Sequence, residues 1–127
     1  MNLIGTIGTC QLKVTPERTA ASIGSGTLAV CATPVVAAAA EGAAVAALAP
    51  HMTDEETTVG THISLDHMAA TPVGMTITAT AEIIAHEGRR YEFRFSCHDE
   101  AGEVARGTHT RFTVACRRFM EKAAQRQ

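Results

Sequence analysis

Residues 32–52, ATPVVAAAAEGAAVAALAPHM, constrain this chain more than any other stretch. They read as one helix. Thr33 suits the N-cap, where a side-chain oxygen accepts from a free backbone N–H. Pro34 suits the first helical position, where a missing N–H costs nothing. Pro50 marks the far end, because the residue before a proline is pushed out of the α region. Such a helix is roughly 25 Å long, enough to cross a small domain. Its body is Ala, Val and Leu with no polar face, so both flanks are expected to be buried. The small side chains let neighbouring backbones approach closely. Whatever else this chain does, it must wrap this helix.

One residue breaks the pattern. Glu41 is the only formally charged residue between Arg18 and Asp54. A carboxylate in an apolar helix is costly unless it is paired, hydrogen-bonded or protonated. Gly42 follows it, and a mid-helix Gly costs about 1 kcal/mol relative to Ala. Either Glu41 snorkels to solvent at a helix edge, or the two residues mark a site.

Most of the remaining chain reads as strands. Residues 6–14, TIGTCQLKV, form a first one. Residues 15–31, with Pro16, Gly24, Ser25 and Gly26, read as a mobile connection, and TDEET after Met52 as a solvated loop. In Thr57–Thr71 the odd positions Val59, Ile63, Leu65, His67 and Ala69 share one face. Pro72 and Gly74 make a turn. In Met75–Ala85 the odd positions Ile77, Ala79, Ala81 and Ile83 point inward. His86-Glu87-Gly88-Arg89 reads as a hairpin turn. In Arg90–His98 the apolar set is Tyr91, Phe93, Phe95 and Cys97, and Asp99–Gly102 is the next turn. Glu103–Ala115 is a last strand with poorer alternation, in which Gly107 is expected to mark a bulge. Arg117–Arg126 reads as a short terminal helix.

The short connections predict that the last four strands form an antiparallel meander. Each strand has one apolar face, and there is one apolar helix to cover. The economical solution is an α+β fold in which a curved antiparallel sheet wraps the helix, the hot-dog architecture. A chain of 127 residues suits one such domain, spanning 1–127. One sheet cannot cover every side of a helix, so a second copy is expected to complete it as a homodimer, with higher oligomers open.

Composition narrows the function classes. A net charge of −2 with 19% charged residues gives no nucleic-acid footprint. Cys10, Cys31, Cys97 and Cys116 form no CxxC pair, so neither a zinc site nor a disulfide framework is expected, and the setting implied is a reducing cytoplasm. His51, His62, His86, His98 and His109 show no HxxxH or HExxH spacing, so no metal is assigned. The N-terminal residues have no basic region and no long apolar run, so a signal peptide is not expected. Glu41 argues against the long helix as a membrane span.

If the sheet packs on the helix, His67 and Glu41 point into the same layer. An imidazole beside a carboxylate in a dry layer is a usable acid–base pair. The bland alternative for His67 is a core histidine satisfied by a carbonyl. Thr33 reads as a cap whose hydroxyl also faces the site, since a hydroxyl donates one hydrogen bond and accepts two. Gly60, inside a strand, marks a bulge or a close backbone approach, and a freed N–H there could donate to an oxyanion.

These residues carry a resemblance. Thr33-Pro34, Glu41, Val59-Gly60-Thr61, the run His67-Met68-Ala69-Ala70-Thr71-Pro72-Val73-Gly74 and Gly107-Thr108-His109 resemble the fluoroacetyl-CoA thioesterase group of hot-dog thioesterases. The similarity runs from Thr33 to about Phe119. It implies a thioester hydrolase with Thr33, Glu41 and His67 as catalytic triad and Gly60 as the backbone donor to the thioester carbonyl. Glu41 attacks or activates water, His67 polarises Glu41 or protonates the leaving thiolate, and Thr33 orients the carboxylate or water. The resemblance also implies a dimer with two sites at its interface. Coenzyme A enters as part of the substrate, with no further cofactor. Arg89, Arg90, Arg117, Arg118 and Lys122 are candidates to meet its phosphates, with Arg117 and Arg118 taken as the binding pair. The family enzyme closes its pocket with a phenylalanine lid before the helix, whereas here all four Phe lie at Phe93 or later and that segment reads ASIGSGTLAV. Two rivals remain on the same fold. A non-catalytic acyl-CoA-binding module would not need Glu41, and a hydratase would place its acid and histidine for α-proton removal.

Overall fold

The computed structural model describes residues 2–127. Five strands form one sheet: β1 (Ile7–Lys13), β2 (Glu56–His67), β3 (Thr76–Glu87), β4 (Arg90–Asp99) and β5 (Gly102–Ala115). Three α-helices accompany them: α1 (Ala20–Ile23) and α2 (Thr33–Leu48) between β1 and β2, and α3 (Cys116–Ala124) after β5. The strand order is β1-β3-β4-β5-β2, and every pairing is antiparallel. The sheet curls around α2, which is the hot-dog arrangement expected.

The meander is shorter than expected. Strands β3, β4 and β5 are sequential neighbours, but β2 pairs with β5 and β1 with β3. The loop between β2 and β3 therefore crosses from one edge of the sheet to its other side. A short connection permits adjacency without enforcing it, and β5 offers β2 a longer ladder.

The sheet's inner face follows the alternation of the sequence. Ile77, Ala79, Ala81 and Ile83 of β3 and Tyr91, Phe93, Phe95 and Cys97 of β4 are all buried. They close on the buried side of α2, formed by Val36, Ala39, Ala40, Ala43, Ala44, Ala47 and Leu48. The small residues do what small residues allow. A Cβ at Gly8 of β1 would fall onto the backbone of Ala43 and Ala47, and one at Gly42 would lie 2.8 Å from the Cys10 sulfur. Strand β1 thus lies directly on the helix.

The other side of α2 is not covered within the chain. Pro34, Ala38, Val45 and Ala49 are exposed at helical spacing, with half-buried Glu41 in their midst. The expectation that both flanks are buried therefore fails for the single chain. With the turn that follows it, the helix reaches His51 and by length and composition could cross a membrane. Its buried side identifies it as the core helix of this fold.

Three local expectations are corrected. The N-cap is Ala32, without a side-chain bond, so Thr33 is the first helical residue and Pro34 the second. Backbone bonds from Cys31 to the Thr71 carbonyl and from Ala32 to the Arg18 carbonyl already fix the entry to the helix. Gly107 pairs regularly with Leu65 and Phe95, and the bulge on β5 falls at Val104 instead. Gly107 is a close approach: a Cβ there would fall onto the Ser64 carbonyl. Finally, residues 15–31 contain regular structure. A 3-10 turn at Pro16–Arg18 leads into α1, whose cap Thr19 accepts from the Ser22 N–H at 3.2 Å. Thr19 also bridges to Cys31.

Candidate active site

The site is shaped by a bulge in β2. Gly60 pairs with Arg111 and His62 with Thr110, so Thr61 is an extra residue. One extra residue shifts the alternation by one. Before the bulge the even positions face the helix: Thr58 is buried and Gly60 lies against Glu41. After it the odd positions do, with Ile63, Leu65 and His67 half-buried. Val59, expected on the inner face with Ile63, is therefore on the other one.

Gly60 is a close approach as well as a bulge. A Cβ there would sit 2.8 Å from Glu41 Oε2, 2.9 Å from His109 Cε1 and 3.2 Å from an Arg111 guanidinium nitrogen. The absent side chain is the space in which the Glu41 carboxylate rests. Arg111 NH1 donates to Glu41 Oε2 at 3.4 Å, and His109 Nε2 lies 3.9 Å from the same oxygen. Glu41 is thus partnered, with its side chain 44% exposed, and is neither a free snorkelling group nor a buried ion.

The groups holding Glu41 are themselves buried. Arg111 donates from Nε to the Thr58 hydroxyl and from NH2 to the Thr58 carbonyl, both at 2.9 Å. It also donates from NH1 to His109 Nε2 at 3.1 Å. A guanidinium has only donors, so His109 Nε2 must be a bare acceptor. The ring proton then sits on Nδ1 and donates to the His62 carbonyl at 2.7 Å. Burial pushes the His109 pKa below its ordinary value; the His62 bond opposes this, and the Arg111 charge reinforces it. The neutral imidazole demanded by the geometry is the form that burial favours. Burial also lowers the Arg111 pKa, and Glu41 offsets it. An arginine so held stays charged.

A second cluster lies at the start of α2. Thr33 Oγ1 and His67 Nδ1 share a hydrogen bond of 2.8 Å. Because Ala32 takes the cap position, the Thr33 hydroxyl is left for the imidazole. His67 Nε2 is buried and has no hydrogen-bond partner among the described residues. An orphaned buried nitrogen of this kind asks for a ligand or a further protein group.

The four central candidates therefore fall into two pairs, Thr33 with His67 and Glu41 with Gly60. Within the chain, Glu41 and His67 form no hydrogen bond or ion pair with each other. Their direct partners are instead Thr33 for His67 and Arg111 for Glu41; the acid–base pairing expected between them, directly or through one water or substrate atom, therefore has no direct bond within the chain. Arg117 and Arg118 lie on α3, exposed, and neither hydrogen-bonds nor ion-pairs with either cluster. Arg117 Nε donates to Glu121 at 3.1 Å, a surface pair one helical turn apart.

Sequence reasoning missed Thr58 and Arg111, and gave His109 no role beyond lying in the Gly107-Thr108-His109 segment of the resemblance and lacking metal spacing. A signal existed. On β5 the alternate positions Ala105, Gly107, His109, Arg111 and Thr113 share a face, and an inward arginine needs an anion. Glu41 is the only carboxylate on the helix that the face covers.

Comparison with known proteins agrees with the fold. Residues 14–125 match the family model of the fluoroacetyl-CoA-specific thioesterase FlK. The fluoroacetyl-CoA thioesterase of Streptantibioticus cattleyicolor is 43% identical over 86 residues, 68% of this chain. That match spans 62% of the relative's length. A solved structure of the fluoroacetyl-CoA thioesterase FlK superposes with a TM-score of 0.92 at 35% identity, covering 98% of this chain and 96% of that one. A point mutant of FlK in complex with fluoroacetate and CoA gives a TM-score of 0.86 at 35% identity over 91% and 98% of the two chains.

Proposed function

This chain belongs to the fluoroacetyl-CoA-specific thioesterase family, and on that premise we propose that it hydrolyses a small acyl-CoA thioester to the free acid and coenzyme A. The observation that carries the reading is the placement of Glu41. The one carboxylate of an apolar helix is drawn by a buried arginine into the space of a missing side chain, yet it remains open on one side. That is a placement for a carboxylate that must meet a reactant.

In this reading the Gly60 N–H donates to the thioester carbonyl oxygen as charge develops on it. Glu41 attacks the carbonyl carbon or takes a proton from the attacking water. Thr33 and His67 form the other wall, and His67 protonates the leaving thiolate or orients the carboxylate. A homodimer covers the exposed stripe of α2 and encloses the substrate, which also gives the buried His67 Nε2 a partner. Arg118, which has no ion-pair partner among the described residues, meets the coenzyme A phosphates with Arg117. No cofactor is required beyond the coenzyme A of the substrate. The four free thiols support a cytoplasmic setting.

Glu41→Gln tests the reading, because it keeps the shape and removes the charge. The variant is expected to keep its fold, because Glu41 is half exposed and the amide oxygen of Gln can still accept from Arg111. Its kcat/KM for acetyl-CoA is expected to fall by about a thousandfold or more, roughly 4 kcal/mol. Thiol release should be followed over a panel of acyl-CoAs. A binding module releases none, and a hydratase consumes an enoyl group without freeing thiol. Turnover within a few-fold of wild type would make Glu41 structural and favour the binding module.

A further inference from the structure

We propose that His109 and Thr58 are positioning residues that fix the Arg111 guanidinium on Glu41, and so set where the carboxylate stands. The role in turnover rests on the reading of Glu41 above; the orientation of Arg111 does not. Two bonds from Nε and NH2 to one residue, Thr58, fix the plane of the guanidinium. The third, from NH1 to His109 Nε2, fixes its direction in that plane. With these made, NH1 faces Glu41 Oε2. Among the described residues Arg111 makes the only side-chain hydrogen bond to Glu41, so the carboxylate takes its position from Arg111.

The restraint extends back to the bulge. His109 accepts from Arg111 only because its own proton is held on Nδ1 by the His62 carbonyl. His62 is the first residue paired after the extra Thr61. The two ends of the bulge thus serve the same site: the missing side chain of Gly60 leaves the space for Glu41, and the His62 carbonyl selects the His109 tautomer. The order of control runs from the His62 carbonyl through His109 and Arg111 to Glu41.

Two substitutions separate this role from simple packing. In His109→Asn the amide nitrogen stands near Nδ1, so it still donates to His62 but does not reach Arg111. In His109→Gln the amide oxygen stands near Nε2, so it still accepts from Arg111 but the bond to His62 is lost. Two measurements are made on each full-length protein: kcat and KM for acetyl-CoA by thiol release, and hydrogen exchange of the Arg111 Nε–H by NMR. His109→Asn is expected to lose kcat by about tenfold or more with KM within a few-fold, since misplacement of a reacting group falls on the chemical step. Its Arg111 Nε–H should exchange faster. His109→Gln should recover most of kcat and the exchange protection. Thr58→Val, which removes one acceptor and keeps the shape, should follow His109→Asn. The inference is overturned if His109→Asn leaves both kcat and exchange unchanged. It is also overturned if His109→Gln is the worse of the two, since the His62 bond would then be what matters. A wild-type protein that releases no thiol would defeat the proposed reaction, and the exchange measurement would still decide how Arg111 is held.

Discussion

Arg111 can only donate hydrogen bonds, and this settles the protonation of its neighbour. His109 accepts from it, so the folded chain holds His109 neutral. Burial, the larger cause, and the arginine charge both push its pKa below 6.5. The sign of the pH effect follows. Above the ordinary histidine pKa, both folded and unfolded chains carry a neutral ring, and the stabilisation is fully present. As pH falls below it, the unfolded chain takes up a proton that the folded chain refuses, and stability drops until the lowered folded pKa is passed. Urea unfolding from about pH 7.5 to about pH 5 should therefore show wild type losing stability relative to His109→Gln, whose side chain does not titrate. Equal slopes would show that His109 is not the source. Glu41, Gly60 and His67 were legible as candidates because each breaks a pattern: a charge in an apolar helix, a glycine in a strand, an imidazole on an apolar face. Arg111 was not, because it belongs to the strand whose alternation is poorest. Its partner cannot be named until β5 is known to lie beside β2.

At the scale of elements, alternation and helix patterning read correctly wherever one face meets one core. Strands β3 and β4 bury the positions expected, and α2 begins and ends within a residue or two of its expected bounds. Strand β2 was legible only in halves, because the phase change at Thr61 falls in a strand whose polar residues lie on both faces. Pairing order was not legible at all, since a connection of eight residues, 68–75, fits adjacency and crossover alike. The segment before α2 bears on substrate choice. It consists of α1 and a run, Gly24-Ser25-Gly26-Thr27-Leu28, that contains no aromatic residue. Leu28 is exposed, and a Gly-rich turn offers no ring to close over a two-carbon acyl group. Discrimination between fluoroacetyl-CoA and acetyl-CoA is therefore expected to stay below about a thousandfold in kcat/KM, roughly 4 kcal/mol. Steady-state kinetics with both thioesters checks it, and a larger ratio would mean that selectivity arises without an aromatic lid.

At the scale of the whole molecule, the feature to explain is a helix apolar all round but wrapped on one side. Pro34, Ala38, Val45 and Ala49 face outward, and Val45 is 45% exposed. In the proposed homodimer a second copy of the chain would cover this stripe with the same stripe, as a two-fold axis requires. Light scattering at micromolar concentration should report a dimer. Val45→Asp should report a monomer that keeps its circular dichroism, because a carboxylate added there meets water in the single chain and a desolvated surface in the pair. A monomeric wild type would remove the dimer from the proposal. Glu41 lies inside that same stripe, and this carries a kinetic consequence. If closing the stripe also closes the site, the catalyst is a product of mass action. Its specific activity should then fall on dilution below the dissociation constant of the pair and return as protein is added back.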